Sequence, residues 1–319
     1  MRLATLANGQ PDGCLVVVSR DAQHCLPAAR IGATLQQAIE QWERVEPALR
    51  ALAERLERGE GEPLDQDRLL APLPRAWQWL DGSAFPQHGE LMQKAFDLPP
   101  IETDRPLMYQ GLSDRFLAGR ADVALPSEAD GIDFEGEFGI ITDAVPMGTP
   151  ADAALAHVKL VILINDWSLR TIAPIEMKTG FGWVQAKPAC SVAPFAVTPD
   201  ELGDAWDDGR VHLPLEVTVN GQWFGQPHGR EMEFGFHDLI AHAARTRDLV
   251  AGTIIGSGTV SNSDYRTVGS SCLSERRAIE MIAGGKPETP FLSFGDRVRM
   301  KALNGPFGTI EQRVVPNRN

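Results

Sequence analysis

The stretch "GIDFEGEFGIITD", residues 131–143, decides how this chain is read. Side chains along a strand point alternately to two faces. Asp133, Glu135, Glu137, Gly139 and Ile141 therefore share one face, and Phe134, Gly136, Phe138 and Ile140 share the other. A solvated acidic face is one reading of this pattern. A buried acidic face is the other, and Gly139 favours it, because a glycine there lets something approach closely. Buried carboxylates without partners are costly. A divalent cation removes that cost, and an all-oxygen ligand set suits a hard ion: Mg2+, Ca2+ or Mn2+. Downstream, "VKLVILIND" (158–166) reads as an apolar strand ending in Asp166 and followed by "WSLR". That carboxylate either completes a cation site or caps the turn after the strand, and spacing alone leaves both open.

Around these two strands the texture is β-rich. "SVAPFAVT", "LPLEVTVNG", "TIIGSGTVS" and "DRVRMKA" are strand-like runs bounded by Gly and Pro. "HDLIAHAARTR" (237–247) is the clearest helical pattern in this half. The first 30 residues carry three short strand patterns, "LATLA", "CLVVVS" and "HCLPA", with the turn cluster "NGQPDG" between the first two. A helix follows on the spacing of Leu35, Ala38, Ile39, Trp42, Val45, Leu49, Leu52 and Leu56, with Thr34 as N-cap, Gly59 at its end and a kink expected at Pro47. The reading is α+β, mainly β: a small N-terminal β/α unit over 1–72 and a sandwich or rolled barrel over 73–319.

Composition limits the partners. The chain has 319 residues, 43% hydrophobic and 23% charged, with a net charge of −13. That balance disfavours nucleic acid and anionic membranes, which need a basic face. It leaves an anionic substrate open, because a metal or local arginines can reverse the field inside a cleft. The apolar run "LVILI" (160–164) is far shorter than the roughly 18 residues of a membrane span. The opening "MRLATLANGQ" has no apolar core of a secretory leader. Cys14, Cys25, Cys190 and Cys272 form no CxxC pair. A cytoplasmic protein with reduced thiols is expected. Cys190 and Cys272 are candidate nucleophiles, with buried structural thiols as the plainer reading.

The ordered set "DFEGEFGIITD", "LINDWSLR", "QAKPACSVAPFAVTPDELG" and "GSGTVSN" resembles the fumarylacetoacetate hydrolase family over about residues 78–310. The N-terminal unit is similar to the extra domain of the longer bacterial members. The resemblance implies a C-terminal mixed β-sheet roll, a homodimer, and a divalent metal at the mouth of the roll. It implies substrates that are small 2,4-diketo or 2-oxo acids. Position by position, Glu135, Glu137 and Asp166 match the metal ligands. Asp81 matches a fourth ligand, seven residues before the catalytic histidine at His88 in "DGSAFPQHGE". Tyr109 and Thr259 match substrate-contacting positions, and Arg170 and Lys187 match the basic residues of the site. Glu275 in "CLSERR" matches, across a small insertion, the acid that orients the histidine. The chain departs from the family pattern at Ala173, Met177 and Ser83, where a Gln and two Tyr are found. These positions bear on substrate recognition and the oxyanion site and not on the metal.

The implied chemistry is hydrolysis of a C–C bond. The metal polarises a carbonyl and holds the enolate, His88 oriented by Glu275 activates water, and Lys187 and Arg170 stabilise the oxyanion. Decarboxylation, hydration or tautomerisation of a related 2-oxo acid is the alternative within enzymes. A catalytically silent, ligand-binding family member is the alternative outside them.

Overall fold

A computed structural model describes residues 1–97, 99 and 103–318. The acidic stretch is not one strand. It divides into Ile132–Asp133 and Gly136–Thr142, with Phe134 and Glu135 outside both. Gly136–Thr142 pairs antiparallel with Val158–Asn165, from Gly136 opposite Asn165 to Ile141 opposite Leu160. Ile132–Asp133 pairs instead with Ser168–Leu169. The three acids therefore do not line one continuous face. The "NDWS" turn causes the break: the Asn165 side-chain oxygen takes the Glu135 N–H at 3.0 Å, and the Asp166 N–H donates to the Glu135 carbonyl at 2.9 Å.

The two long strands lie at the centre of a 12-stranded mixed sheet. On one side Gly136–Thr142 meets Thr253–Gly256, which runs parallel to Gln78–Gly82. On the other, Val158–Asn165 meets Ala196–Val197, which pairs with Arg2–Leu6 of the N-terminal unit. The N-terminal strands Arg2–Leu6, Cys14–Val18 and His24–Pro27 thus extend the same sheet. Alternation along the central strands then makes two cores. Phe138, Ile140, Val161 and Leu163 face one, shared with Val217, Val298 and Met300 of a second, five-stranded sheet. Ile141, Leu160, Ile162 and Ile164 face the other, beneath Leu35, Ile39, Trp42 and Leu49 of the N-terminal helices. Both faces are buried, which is why Val158–Asn165 is apolar almost throughout.

The N-terminal helical pattern forms two helices, Leu35–Ile39 and Trp42–Glu57. Thr34 caps the first through Gln37 N–H at 3.2 Å. The break lies at residues 40–41 and not at Pro47, which is carried inside the second helix. Proline there forfeits one backbone bond, and the helix continues through it to Glu57. In the second half, Phe236–Ala243 matches the expected helix, and Pro86–Phe96 and Leu273–Gly284 are longer ones. Among the described residues no helix is long and apolar enough to cross a membrane. The four cysteines are free.

Gly139 is buried in this sheet for a packing reason. A β-carbon there would stand 2.5 Å from Ile164 Cδ1 and 3.3 Å from the Ile255 carbonyl. The close approach read from the sequence is made by a core side chain and not by a ligand. Gly139→Ala is expected to cost about 1–3 kcal/mol through overpacking, read as a lower urea midpoint with an unchanged slope. An unchanged midpoint would mean that Ile164 re-packs freely.

Candidate active site

The site is built where the strand break, the "NDWSLR" turn and the Gly256–Ser257–Gly258 turn converge. Asp81, Asp133, Glu135, Glu137 and Asp166 are all buried there. Five of the six residues of "NDWSLR" have a task at the site. Asn165 holds the Glu135 backbone, and Asp166 presents its carboxylate. Trp167 is fully buried and donates to Ser191 Oγ at 2.9 Å. Ser168 Oγ donates to Glu135 Oε1 at 2.6 Å. Arg170 spans two acids, Nε on Asp133 Oδ2 at 2.8 Å and Nη2 on Glu135 Oε1 at 2.6 Å. Lys187 bridges Glu135 Oε1 at 2.9 Å and Asp166 Oδ2 at 2.7 Å.

The donors are unevenly shared. Glu135 receives Ser168, Arg170 and Lys187 on one oxygen and Thr259 Oγ1 on the other at 2.7 Å. Burial alone would raise its pKa, but Lys187 and Arg170 hold it well below the usual carboxylate range. Asp166 receives Tyr109 Oη at 2.5 Å, Lys187, and the Cys190 thiol at 3.0 Å. Asp81 Oδ1 receives the Gly258 N–H at 3.0 Å. Gly258 has φ +76°, and a β-carbon there would collide with the Gly82 carbonyl, so this turn requires glycine. Among the described residues, Glu137 has a donor on neither oxygen. The neighbour that could supply one is a protonated Asp81.

Burial and then the charge of Asp166 push Asp81 up to about 8, and burial, then Asp81 and Asp166, push Glu137 well above the usual range. Asp81, Glu137 and Asp166 each bring a carboxylate oxygen within 4.8 Å of the others. An orphaned buried carboxylate beside two more is what a hard divalent cation satisfies, so these residues fit the ion that the sequence implied. Of the four expected ligands, the structure gathers these three. It commits the oxygens of Glu135 to Lys187, Arg170, Ser168 and Thr259.

The second half of the site hangs on the helix Leu273–Gly284. Asp133 receives the Leu273 and Ser274 N–H groups at 2.7 and 2.9 Å, and Cys272 Sγ receives the Glu275 N–H at 3.3 Å. Glu275 is fully buried, with Oε1 taking Ser261 Oγ at 3.0 Å and Oε2 facing His88 Nδ1 at 3.3 Å. His88, on the helix Pro86–Phe96, keeps 24% of its side chain exposed. The structure thus pairs His88 with Glu275 and sets the pair near Glu135.

Tyr109 and Thr259 donate to Asp166 and Glu135, so in this structure both hydroxyls serve acids. Tyr109 also has Lys187 Nζ 5.3 Å from its ring centroid and Trp183 edge-on at 6.1 Å. Of the departures, Ala173 is buried and Met177 is 63% exposed, both on the helix Ala173–Thr179. Sequence reasoning did not find Asp133 as a helix cap, Ser168 and Ser261 as donors, or Cys190 on Asp166. Their only signal is adjacency to a motif.

Residues 78–315 match the fumarylacetoacetate (FAA) hydrolase C-terminal domain, and residues 1–75 match fumarylacetoacetase N-terminal domain 2. The chain belongs to the fumarylacetoacetate hydrolase family. It is an enzyme family that includes hydrolases, isomerases and tautomerases. The chain is 29% identical over 163 residues to 2,4-didehydro-3-deoxy-L-rhamnonate hydrolase of Sphingomonas sp. SKA58, covering 50% of this chain and 54% of that one. It is 22% identical over 255 residues to an oxaloacetate tautomerase of Bacillus subtilis, covering 79% and 74%. The chain spans about half the length of the first curated relatives it matches. Among solved structures, maleylpyruvate hydrolase from Sphingobium sp. SYK-6, in complex with manganese(II) and pyruvate, superposes over 100% of both chains with a TM-score of 0.69 at 19% identity. At that identity the likeness speaks for the fold.

The raised acids set a pH dependence. A carboxyl whose folded pKa exceeds its unfolded value near 3.9 binds its proton more tightly when folded. Its contribution to stability is full below that unfolded value and is lost as pH rises towards about 8 for Asp81. A bound cation replaces the proton and removes the loss. The rise in melting temperature on adding Mn2+ or Mg2+ is therefore expected to be larger at pH 8 than at pH 6, measured by differential scanning fluorimetry. Equal shifts at both pH values would show that both acids are already ionised without metal.

Proposed function

We propose that this protein is a divalent-metal-dependent hydrolase that cleaves the C–C bond of a 2,4-diketo acid, of the fumarylacetoacetate or acylpyruvate type. The observation that carries this reading is the His88–Glu275–Ser261 chain set near Glu135, which Lys187 ties to Asp166 of the buried all-oxygen acidic cluster. Mg2+, Mn2+ or Ca2+ held by Asp81, Glu137 and Asp166 supplies Lewis acidity to the oxo groups when bound. Glu275 holds Nδ1 of His88, which leaves Nε2 to take a proton from water, and the buried carboxylate favours the imidazolium that results. Water adds its hydroxyl to the acyl carbonyl, and its proton ends on the departing carbon. Lys187 spends two of its three N–H groups on Glu135 and Asp166 and keeps the third for a developing oxyanion. Arg170 holds Glu135 and Asp133 in register and steadies the same charge.

A second reading, tautomerisation of a 2-oxo acid, is favoured by the Bacillus subtilis relative, whose alignment spans most of this chain. The same histidine would then move a proton between carbon and oxygen without water. Chelator-treated protein, restored with Mg2+ or Mn2+ and offered acylpyruvates and oxaloacetate, separates the two. Loss of the diketone absorbance with release of the cleaved acid supports hydrolysis. Enol-to-keto conversion of oxaloacetate with no cleavage moves the assignment to a tautomerase.

His88→Ala is expected to lower kcat by about 10²–10⁴ while keeping the metal-induced rise in melting temperature. Glu137→Ala and Asp166→Ala are expected to lose both. Full turnover in His88→Ala would remove the histidine from the chemistry.

A further inference from the structure

Cys272 is buried, and nothing in the proposed chemistry uses it. Its sulfur, one nitrogen of His88 and one oxygen of Glu275 all lie within 4.8 Å of one another. We infer that His88, Cys272 and Glu275 form an inhibitory site for a borderline-soft divalent cation, Zn2+ in the first instance, separate from the all-oxygen cluster of Asp81, Glu137 and Asp166. Only the inhibitory consequence rests on the function proposed above; the binding does not.

The donor set argues for the metal class. Nitrogen, sulfur and oxygen from three residues, with a fourth position open, is a zinc ligand set, whereas Mg2+ and Ca2+ take oxygen. Tetrahedral zinc with bonds of about 2.0–2.3 Å sets its donors roughly 3.3–3.8 Å apart. His88 Nδ1 and Glu275 Oε2 already stand at 3.3 Å, and the sulfur must close in by about 1.3 Å at most. The part-exposed His88 is the edge from which an ion and its fourth ligand, a water, can enter.

The surrounding charge also suits a dication. Asp133, Glu275 and Glu135 act on Cys272 against Arg170, which is already paired with Asp133 and Glu135. The Glu275 N–H that donates to Cys272 Sγ, at the first turn of a 12-residue helix, would stabilise the bound thiolate. Binding releases the thiol proton to solvent and leaves the imidazole neutral. It also takes from His88 and Glu275 the atoms that make their hydrogen bond, so the histidine can no longer serve as base. The hard ion supports turnover, and the softer ion stops it at another set of ligands.

The test uses the full chain saturated with Mg2+. One equivalent of Co2+ is added, and the near-ultraviolet thiolate-to-cobalt charge-transfer band is recorded. The band is expected in the wild type, in Cys190→Ser and on titration to one site, and absent in Cys272→Ser. Serine keeps an N-cap hydroxyl on the helix, and Cys272→Ala with a melting curve guards against a folding artefact. Zn2+ is expected to erase the band. It should also inhibit turnover at saturating Mg2+, with the half-inhibiting concentration rising at least tenfold in Cys272→Ser. No band in the wild type, or a band that persists in Cys272→Ser, overturns the site. Loss of the band only in Cys190→Ser would place the cobalt on Asp166 and overturn it equally. The spectroscopic arm reads the same whether or not any diketo acid is turned over.

Discussion

Five buried carboxylates arranged around Arg170 and Lys187 govern this structure. In a low-dielectric interior an ionised acid must be paired, hydrogen-bonded, protonated or metal-bound. The surrounding elements distribute their donors accordingly. Asp133 takes two helix N–H groups and Arg170, Glu135 is fully subscribed, and Asp166 takes a phenol, an ammonium and a thiol. Among the described residues that leaves Glu137, with Asp81 beside it, short of donors. The vacancy in the hydrogen bonding, more than the number of acids, is what the proposed cation would fill.

Arg170 ties the two halves of the site together. Its guanidinium reaches Asp133, which caps the helix Leu273–Gly284, and Glu135, which stands over the acidic cluster. That helix in turn presents Glu275 to His88. The planar, always-charged fork of arginine suits this bridge in a way that a lysine would not. A shift of the helix would therefore move the histidine pair and Glu135 together. Hydrolysis and tautomerisation make the same first demand on this frame, a proton acceptor beside a chelated oxo acid. They differ in whether water is admitted.

Much was legible in the sequence. The strand patterns at 136–142 and 158–166, the short N-terminal strands and the helix after them depend on local periodicity, which the chain writes into its own order. Glu135, Glu137, Asp166 and Arg170 could be picked out through the family resemblance, because the "DFEGE" and "NDWSLR" motifs that carry it are contiguous. What misled the local reading was register. On spacing alone three acids two residues apart share a face, but the Asn165 side chain captures the Glu135 backbone and breaks the strand between them.

The sequence by itself determined the supply of groups: an excess of acid, two strands to carry it, a histidine seven residues after Asp81. Only the tertiary structure decided their partners. Glu137 was left without a donor while Glu135 received four, and Glu275 came to His88 across 187 positions of chain. The physical reason is that hydrogen-bond satisfaction and desolvation are sums over neighbours in space. No spacing along the chain encodes how many donors a buried oxygen will meet.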